Sequence, residues 1–274
     1  MPIATLPELR ERSRAPKDQI YWFGAAGFIF TSHWVVTSKS RRPAAVLLLS
    51  ATYQPLTVTL GKTQLVHDVI AVAPRVQRGL DARDAGLVSV HLFPPHPLYQ
   101  RFARLPRPGA LVLSRAPVAH LDATLRAAFE GRLTLDQARV LFDELVSALE
   151  KQLPPAPAPH AREESLHARL LREPDCSLAE LARQLGLSYS GASRHFSRTV
   201  GLSFRSYRLW LKYYLASEYS LRGANWTEAA SAAGFTDSSH LVHAWRASFG
   251  MTPSHTNDPQ RVRAHYEATL VKTL

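Results

Sequence analysis

Cysteine is almost missing from this chain: Cys176 stands alone in 274 residues, which excludes an internal disulfide and any cysteine-based zinc cluster. Long apolar runs are missing too, and none reaches the roughly 18 residues that a membrane span needs. The opening stretch, Met1 to Arg14, has no apolar h-region and carries Glu8 and Glu11 among its arginines, so it does not read as a secretory signal. These absences together predict a cytoplasmic protein of bacterial organisation with no membrane contact. Cys176 itself, just before Ser177, reads as a free half-buried thiol rather than a redox centre.

Hydrophobic residues make up 46%, normal for a folded globular protein, and the length leaves room for two domains. The formal charge is +11, an excess that suits a polyanionic partner because neutralised phosphates supply most non-specific affinity for DNA. Its distribution does not locate the site. From residue 160 on there are 14 Lys/Arg against 10 Asp/Glu, and before it 19 against 12. The motifs have to locate it.

Residues 20–118 carry short apolar or alternating runs, Gly27 to Phe30, Ala44 to Leu49, Leu56 to Leu60, Leu65 to Val72 and Leu87 to Phe93, parted by Pro, Gly, Asp and Arg. That spacing predicts an all-β barrel or sandwich. From His120 the period becomes helical, with Leu121, Leu125, Ala128 and Phe129 on one face, then Ala138, Leu141, Phe142, Leu145 and Leu149 on another. Gly131 and Thr134 separate the two as stop and cap. The apolar faces at 119–152 leave two readings open, packing onto the β unit or a homodimer interface. Pro154 to Pro159, alternating Pro and Ala, cannot be helical and marks a stiff boundary. The predicted organisation is α+β: a β unit at 1–118, a helical pair at 119–152, a Pro-rich linker at 153–163, a helical unit at 164–256 and an extension at 257–274.

The helical unit contains a repeat. Ala179-Glu180-Leu181-Ala182 before Gly186-Leu187 matches Thr227-Glu228-Ala229-Ala230 before Gly234-Phe235, and Phe196 and Gly201 find counterparts in Trp245 and Gly250. Two helices crossing through a tight turn need a small residue where they approach and a glycine that accepts positive φ. Ala182 and Ala230 supply the first, Gly186 and Gly234 the second. Ser188 caps the next helix, and Asp237 or Thr236 does so in the second copy. Between the copies, Phe204 to Leu221 has no Gly or Pro and keeps an apolar stripe. A helix of about 20 residues spans roughly 30 Å. Two recognition helices on one face of B-DNA sit about 34 Å apart.

The second unit, Glu228-Ala229-Ala230, Ala233-Gly234-Phe235, Asp237-Ser238-Ser239-His240-Leu241 and Trp245 through Ser254, resembles the C-terminal domain of the AraC/XylS family of bacterial regulators. Tyr207 to Lys212 is similar to that family's connector helix. The resemblance implies double-stranded DNA as partner, RNA polymerase as a second partner and an activator role. It places base-facing positions at Ser190, Ser193 and Arg194 in the first recognition helix and at Ser238, Ser239 and His243 in the second, with Arg198 and Arg246 on phosphate. Arg194 has the geometry for guanine. Three positions depart from the family pattern: Ala192 where a larger apolar residue is usual, His243 where Arg is usual, and Trp245 for the common Phe, expected in the core. His240 and His243 have a metal-compatible spacing, but the resemblance argues against ligation and makes His240 a helix-surface or packing residue.

Ala71-Val72-Ala73-Pro74 and Leu92-Phe93-Pro94 resemble, more faintly, the cupin-like sensor domain often joined to such domains, which implies a β-barrel. His33, His67, His91 and His96 never occur as His-x-His, so no metal and no cofactor is expected, and no nucleophile–base pair supports an enzyme. Arg41-Arg42, Arg75, Arg78, Arg101, Arg104 and Arg107 have few acidic neighbours. Either they form a solvated basic surface or some face a small anionic effector, in which case Arg75 or Arg78, on the loop after the Val69–Ala73 strand, is the expected contact. The alternatives to a ligand-controlled regulator are a cupin-type enzyme fused to a DNA-binding module and a regulator with no small-molecule ligand.

Overall fold

The computed structural model describes residues 17–83, 85–156, 161–256 and 258–267, with backbone only for 161–165. Of the expected linker, 157–160 lie outside the described residues, as do 257 and 268–274 of the expected extension.

Eleven strands are present among the described residues: β1 (Asp18–Trp22), β2 (Gly27–Ser32), β3 (Val36–Ser40), β4 (Ala45–Ser50), β5 (Leu56–Leu60), β6 (Thr63–His67), β7 (Val69–Val72), β8 (Arg78–Asp81), β9 (Leu87–Leu92), β10 (Ala110–Val112) and β11 (Val262–His265). Seven form one sheet in the order β10-β7-β4-β9-β2-β1-β11, and four form a second in the order β3-β8-β5-β6. Every neighbouring pair is antiparallel except β1 and β11, which run parallel with Asp18 opposite Val262. The cupin-like barrel expected from the sequence is therefore corrected. The seven-stranded sheet ends in β10 on one edge and β11 on the other, so it does not close onto the four-stranded sheet.

The alternation of side chains along the central strands explains the layers. In β4, Val46 and Leu48 join the apolar layer between the sheets with Val58, Ile70 and Leu80. Ala45, Leu47 and Leu49, on the other face, join Val88 and Val90 of β9 beneath helices. Those helices are α2 (Asp122–Phe129) and α3 (Leu135–Leu149), preceded by the short α1 (Tyr99–Ala103). Thr134 begins α3 with a reciprocal cap to Gln137. Leu125, Ala128, Leu141, Phe142, Leu145 and Leu149 are all buried against the sheet. The apolar surplus at 119–152 is thus spent on packing, and Val140 is the large apolar side chain that α3 leaves exposed.

The remaining helices are α4 (Ala161–Arg172), α5 (Leu178–Leu185), α6 (Tyr189–Val200), α7 (Phe204–Leu221), α8 (Trp226–Ala232), α9 (Ser238–Phe249) and the short α10 (Pro253–Thr256). They do not stand apart from the sheets, for one continuous core runs from Tyr21 and Trp22 through Phe93 to Trp210 and Trp245. Trp22 Nε1 donates to Glu218 of α7 at 2.7 Å, and the Arg41 backbone N–H donates to the Ser248 carbonyl of α9 at 3.1 Å. Gln100 of α1 donates to the Thr199 carbonyl of α6. At the far end, His265 of β11 stacks on Tyr21 at 4.4 Å. No helix among the described residues is long and apolar enough to cross a membrane.

Candidate nucleic-acid interface and effector cleft

The two bent helix pairs are built alike. Ser177 caps α5 reciprocally with Glu180, and Asn225 caps α8 in the same way with Glu228. Gly186 takes the left-handed conformation, φ 63°, that the turn into α6 requires. Ser188 accepts from the Gly191 N–H at the start of α6, and Asp237 accepts from the His240 N–H at the start of α9. Each second helix then divides into two faces. On α6, Ala192, Phe196 and Val200 are buried at four-residue spacing, while Ser190, Arg194 and Arg198 are exposed and Ser193 half-buried. On α9, Leu241, Trp245 and Ser248 are buried, while Ser239, His243 and Arg246 are exposed and Ser238 half-buried.

None of Arg194, Arg198 and Arg246 takes part in an ion pair among the described residues, and the serines bond no further than Ser188 to Ser190. Two uncommitted polar and cationic faces therefore lie on the two helices that follow the tight turns. The connector α7 runs unbroken over 18 residues, about 27 Å at 1.5 Å per residue. Ala192 is completely buried, so the smaller residue is accommodated by close approach and leaves no gap to solvent. Trp245 lies in the core, edge-on to Trp226 and Tyr213.

A second feature opens between the sheets and the helical unit. Trp22, Phe28 and Phe93 from one side and Trp210, Tyr214 and Phe249 from the other line an aromatic cleft of about 100 Å³. Arg42 is the charged residue in its wall. Of the two arginines expected to meet an effector, Arg78 is a buried strand residue of β8, not part of a loop, with 2% exposure. Arg75 does lie on a loop, half-buried at φ 61°, and its backbone N–H donates to the Arg42 carbonyl at 2.7 Å. Burial pushes Arg78 down to about 9 and Arg42 down to about 10, and the charge of Arg42 adds to the effect on Arg78. Arg42 and His91 escaped sequence reasoning. Arg42 was one of seven scattered arginines, and nothing in a strand reading Leu-Val-Ser-Val-His-Leu shows that its histidine faces an arginine. No group of three His, Cys, Asp or Glu side chains among the described residues is placed to hold a metal ion.

Residues 181–258 match the family described as a helix-turn-helix domain. The C-terminal part of this chain is a DNA-binding domain of the AraC/XylS type. Among solved structures the chain is similar to ToxT from Vibrio cholerae, at 11% identity and TM-score 0.50, covering 87% of this chain and 96% of that one. ToxT from strain O395 bound to (E)-4-(8-methylnaphthalen-1-yl)but-3-enoic acid matches with the same identity, TM-score and coverage. Unsaturated-fatty-acid-bound ToxT from strain SCE256 matches at 10% identity and TM-score 0.50, covering 87% of this chain and 91% of that one. At such identity the likeness shows a shared fold over both parts of the chain. No curated protein matches significantly.

Proposed function

We propose that the protein is a sequence-specific DNA-binding transcription regulator, acting as an activator, whose N-terminal sheets sense a small anionic effector. The observation that carries the reading is the coincidence of the matched helix-turn-helix region with two uncommitted polar helix faces. In this reading α6 and α9 enter successive major-groove segments. Ser190, Ser193, Arg194, Ser238, Ser239 and His243 meet base edges, and Arg198 and Arg246 meet phosphate. The protein works by binding, with RNA polymerase as its second partner.

The effector half of the reading draws on the buried arginines and on the solved ToxT structures, two of which hold an apolar carboxylic acid. An effector lodged between the sheets and α7 alters DNA affinity only by as much as it favours one arrangement of the two parts.

Selection of bound duplexes from random DNA, followed by footprinting, tests the DNA half. The expected site protects roughly 15–20 bp as two segments one helical turn apart. Enrichment of no sequence, or protection of a single major-groove segment, overturns it.

A further inference from the structure

Inside the paired sheets lies a group of polar side chains whose donors the protein answers only in part. Arg42 follows β3, Arg78 begins β8, and Ser89 and His91 sit on β9 facing the layer between the sheets; Arg42 is 7% exposed, Arg78 2% and His91 0%. His91 Nε2 lies 3.0 Å from Arg42 Nη1 and 2.7 Å from Ser89 Oγ. A guanidinium only donates, so Nε2 is the accepting nitrogen and the ring proton resides on Nδ1. That Nδ1–H has no partner, and neither do Nε of Arg42 or Nε and Nη2 of Arg78. All four orphaned groups are donors.

Neither arginine joins an ion pair among the described residues. Buried polar groups in folded proteins are answered almost without exception, and buried charges are paired. Water would satisfy donors yet leave two like charges facing each other. An oxyanion answers both needs. Nearby space decides what the oxyanion is attached to. Arg42 and Phe28 belong to the aromatic cleft as well as to this group, since Phe28 stacks on His91 at 4.1 Å with the rings 3° from parallel.

We propose that Arg42, Arg78 and the Nδ1–H of His91 receive the oxyanion of an amphipathic carboxylate whose apolar body fills the aromatic cleft between the sheets and α7. The proposal deepens the effector half of the regulator reading and depends on that reading only for its effect at DNA. The segment that carries Arg42 also touches the second recognition helix: the Arg41 N–H bonds the Ser248 carbonyl, and the Arg42 guanidinium lies 6.0 Å from the Phe249 ring centre. Occupancy and DNA affinity are then coupled, and each changes the other by the same factor.

Calorimetric titration of the full chain tests the site without DNA. The probes are dodecanoate, dodecanol with the same tail and no charge, and acetate and inorganic phosphate as heads without a tail. Dodecanoate should bind one site at least tenfold more tightly than each of the other three. Arg78→Met should lose at least tenfold for dodecanoate while dodecanol is unchanged, with an unaltered near-ultraviolet circular dichroism spectrum showing that the fold survives. Should Arg78→Met fail to fold, Arg78→Lys keeps the charge without the planar fork and should still lose several-fold. Equal binding of dodecanol and dodecanoate overturns the proposal, as does wild-type affinity in whichever variant folds. Phosphate or acetate binding as tightly as dodecanoate overturns it too, because the cleft would then contribute nothing. A chain that binds dodecanoate but no DNA sinks the regulator reading and leaves the site standing. A chain that binds DNA but not dodecanoate does the reverse.

Discussion

Trp22 and Glu218 are joined by one hydrogen bond, 2.7 Å long, between β1 and the last turn of α7. Both residues are nearly inaccessible to water, at 6% and 5% exposure, so the bond's loss cannot be repaired by solvent. Trp22→Phe keeps an aromatic ring for the stack on Tyr214, 6.1 Å between centres, and removes only the donor and part of the ring. Losing a hydrogen bond to a buried charged group costs about 1.5–3 kcal/mol, and the vacated ring volume adds about 1 kcal/mol. Glu218→Met strands the indole N–H instead, at about 1–3 kcal/mol. The double variant strands neither group. Its loss should fall short of the summed single losses by about 1–3 kcal/mol. Urea unfolding at pH 7.5, followed by far-ultraviolet circular dichroism, measures all four proteins. Single losses that add to within about 0.5 kcal/mol would show that the bond does not hold the two parts together.

Three further outcomes are expected. Arg194→Ala should relax preference at one base position by about 1–3 kcal/mol, whereas Arg198→Ala should weaken all sequences alike and lower the salt slope by about 1. Both side chains are exposed and outside any ion pair, so unfolding curves that shift with either variant would contradict the placement. Gly27→Ala would set a Cβ 1.9 Å from the His91 carbonyl oxygen at φ +144°, across the β2–β9 pairing. A loss of at least about 3 kcal/mol follows, and a soluble variant melting within a few degrees of wild type refutes it. The Glu218 carboxyl is held above its ordinary 4.5 by burial, offset in part by the Trp22 bond and the Arg222 charge. The folded state thus favours the protonated form, a stabilisation complete below 4.5 and lost as pH rises through the folded value. Glu218→Gln carries no charge at any pH, so its stability relative to wild type should grow from pH 4.5 toward neutrality. A constant difference across that range would refute the assignment.

The helical half was far more legible than the sheets. Its periodicity, turn glycines and capping residues act within a few positions of one another, so Phe204 to Leu221 emerges as one helix with Ser188 and Asp237 capping its neighbours' recognition helices. Strands β4 and β9 were legible as apolar runs buried on both faces, and β5 by its alternation of apolar and polar residues. The run Leu65 to Val72 divides at Asp68 into two strands on different sheets, which no local pattern announces. β3, reading Val-Thr-Ser-Lys-Ser, and β11, reading Val-Arg-Ala-His, become strands only because a partner edge is available. The depth of Arg78 was hidden for a related reason: with Gly79 and Leu80 it lies inside only once β8 pairs between β3 and β5. The outward positions on α6 and α9 followed from the resemblance and the helical period, and the contacts they make with DNA stand as proposal.

The parallel pairing of β11 with β1 gives the helical half two anchorages, one through the covalent chain near Leu153 and one through a ladder of backbone bonds at the opposite end. A body moored fore and aft cannot swing out on a single hinge. Freeing it means unzipping four residues and baring Tyr21, from which His265 would be lifted. Any displacement of the helical half that keeps this ladder paired is confined to small tilts and shears.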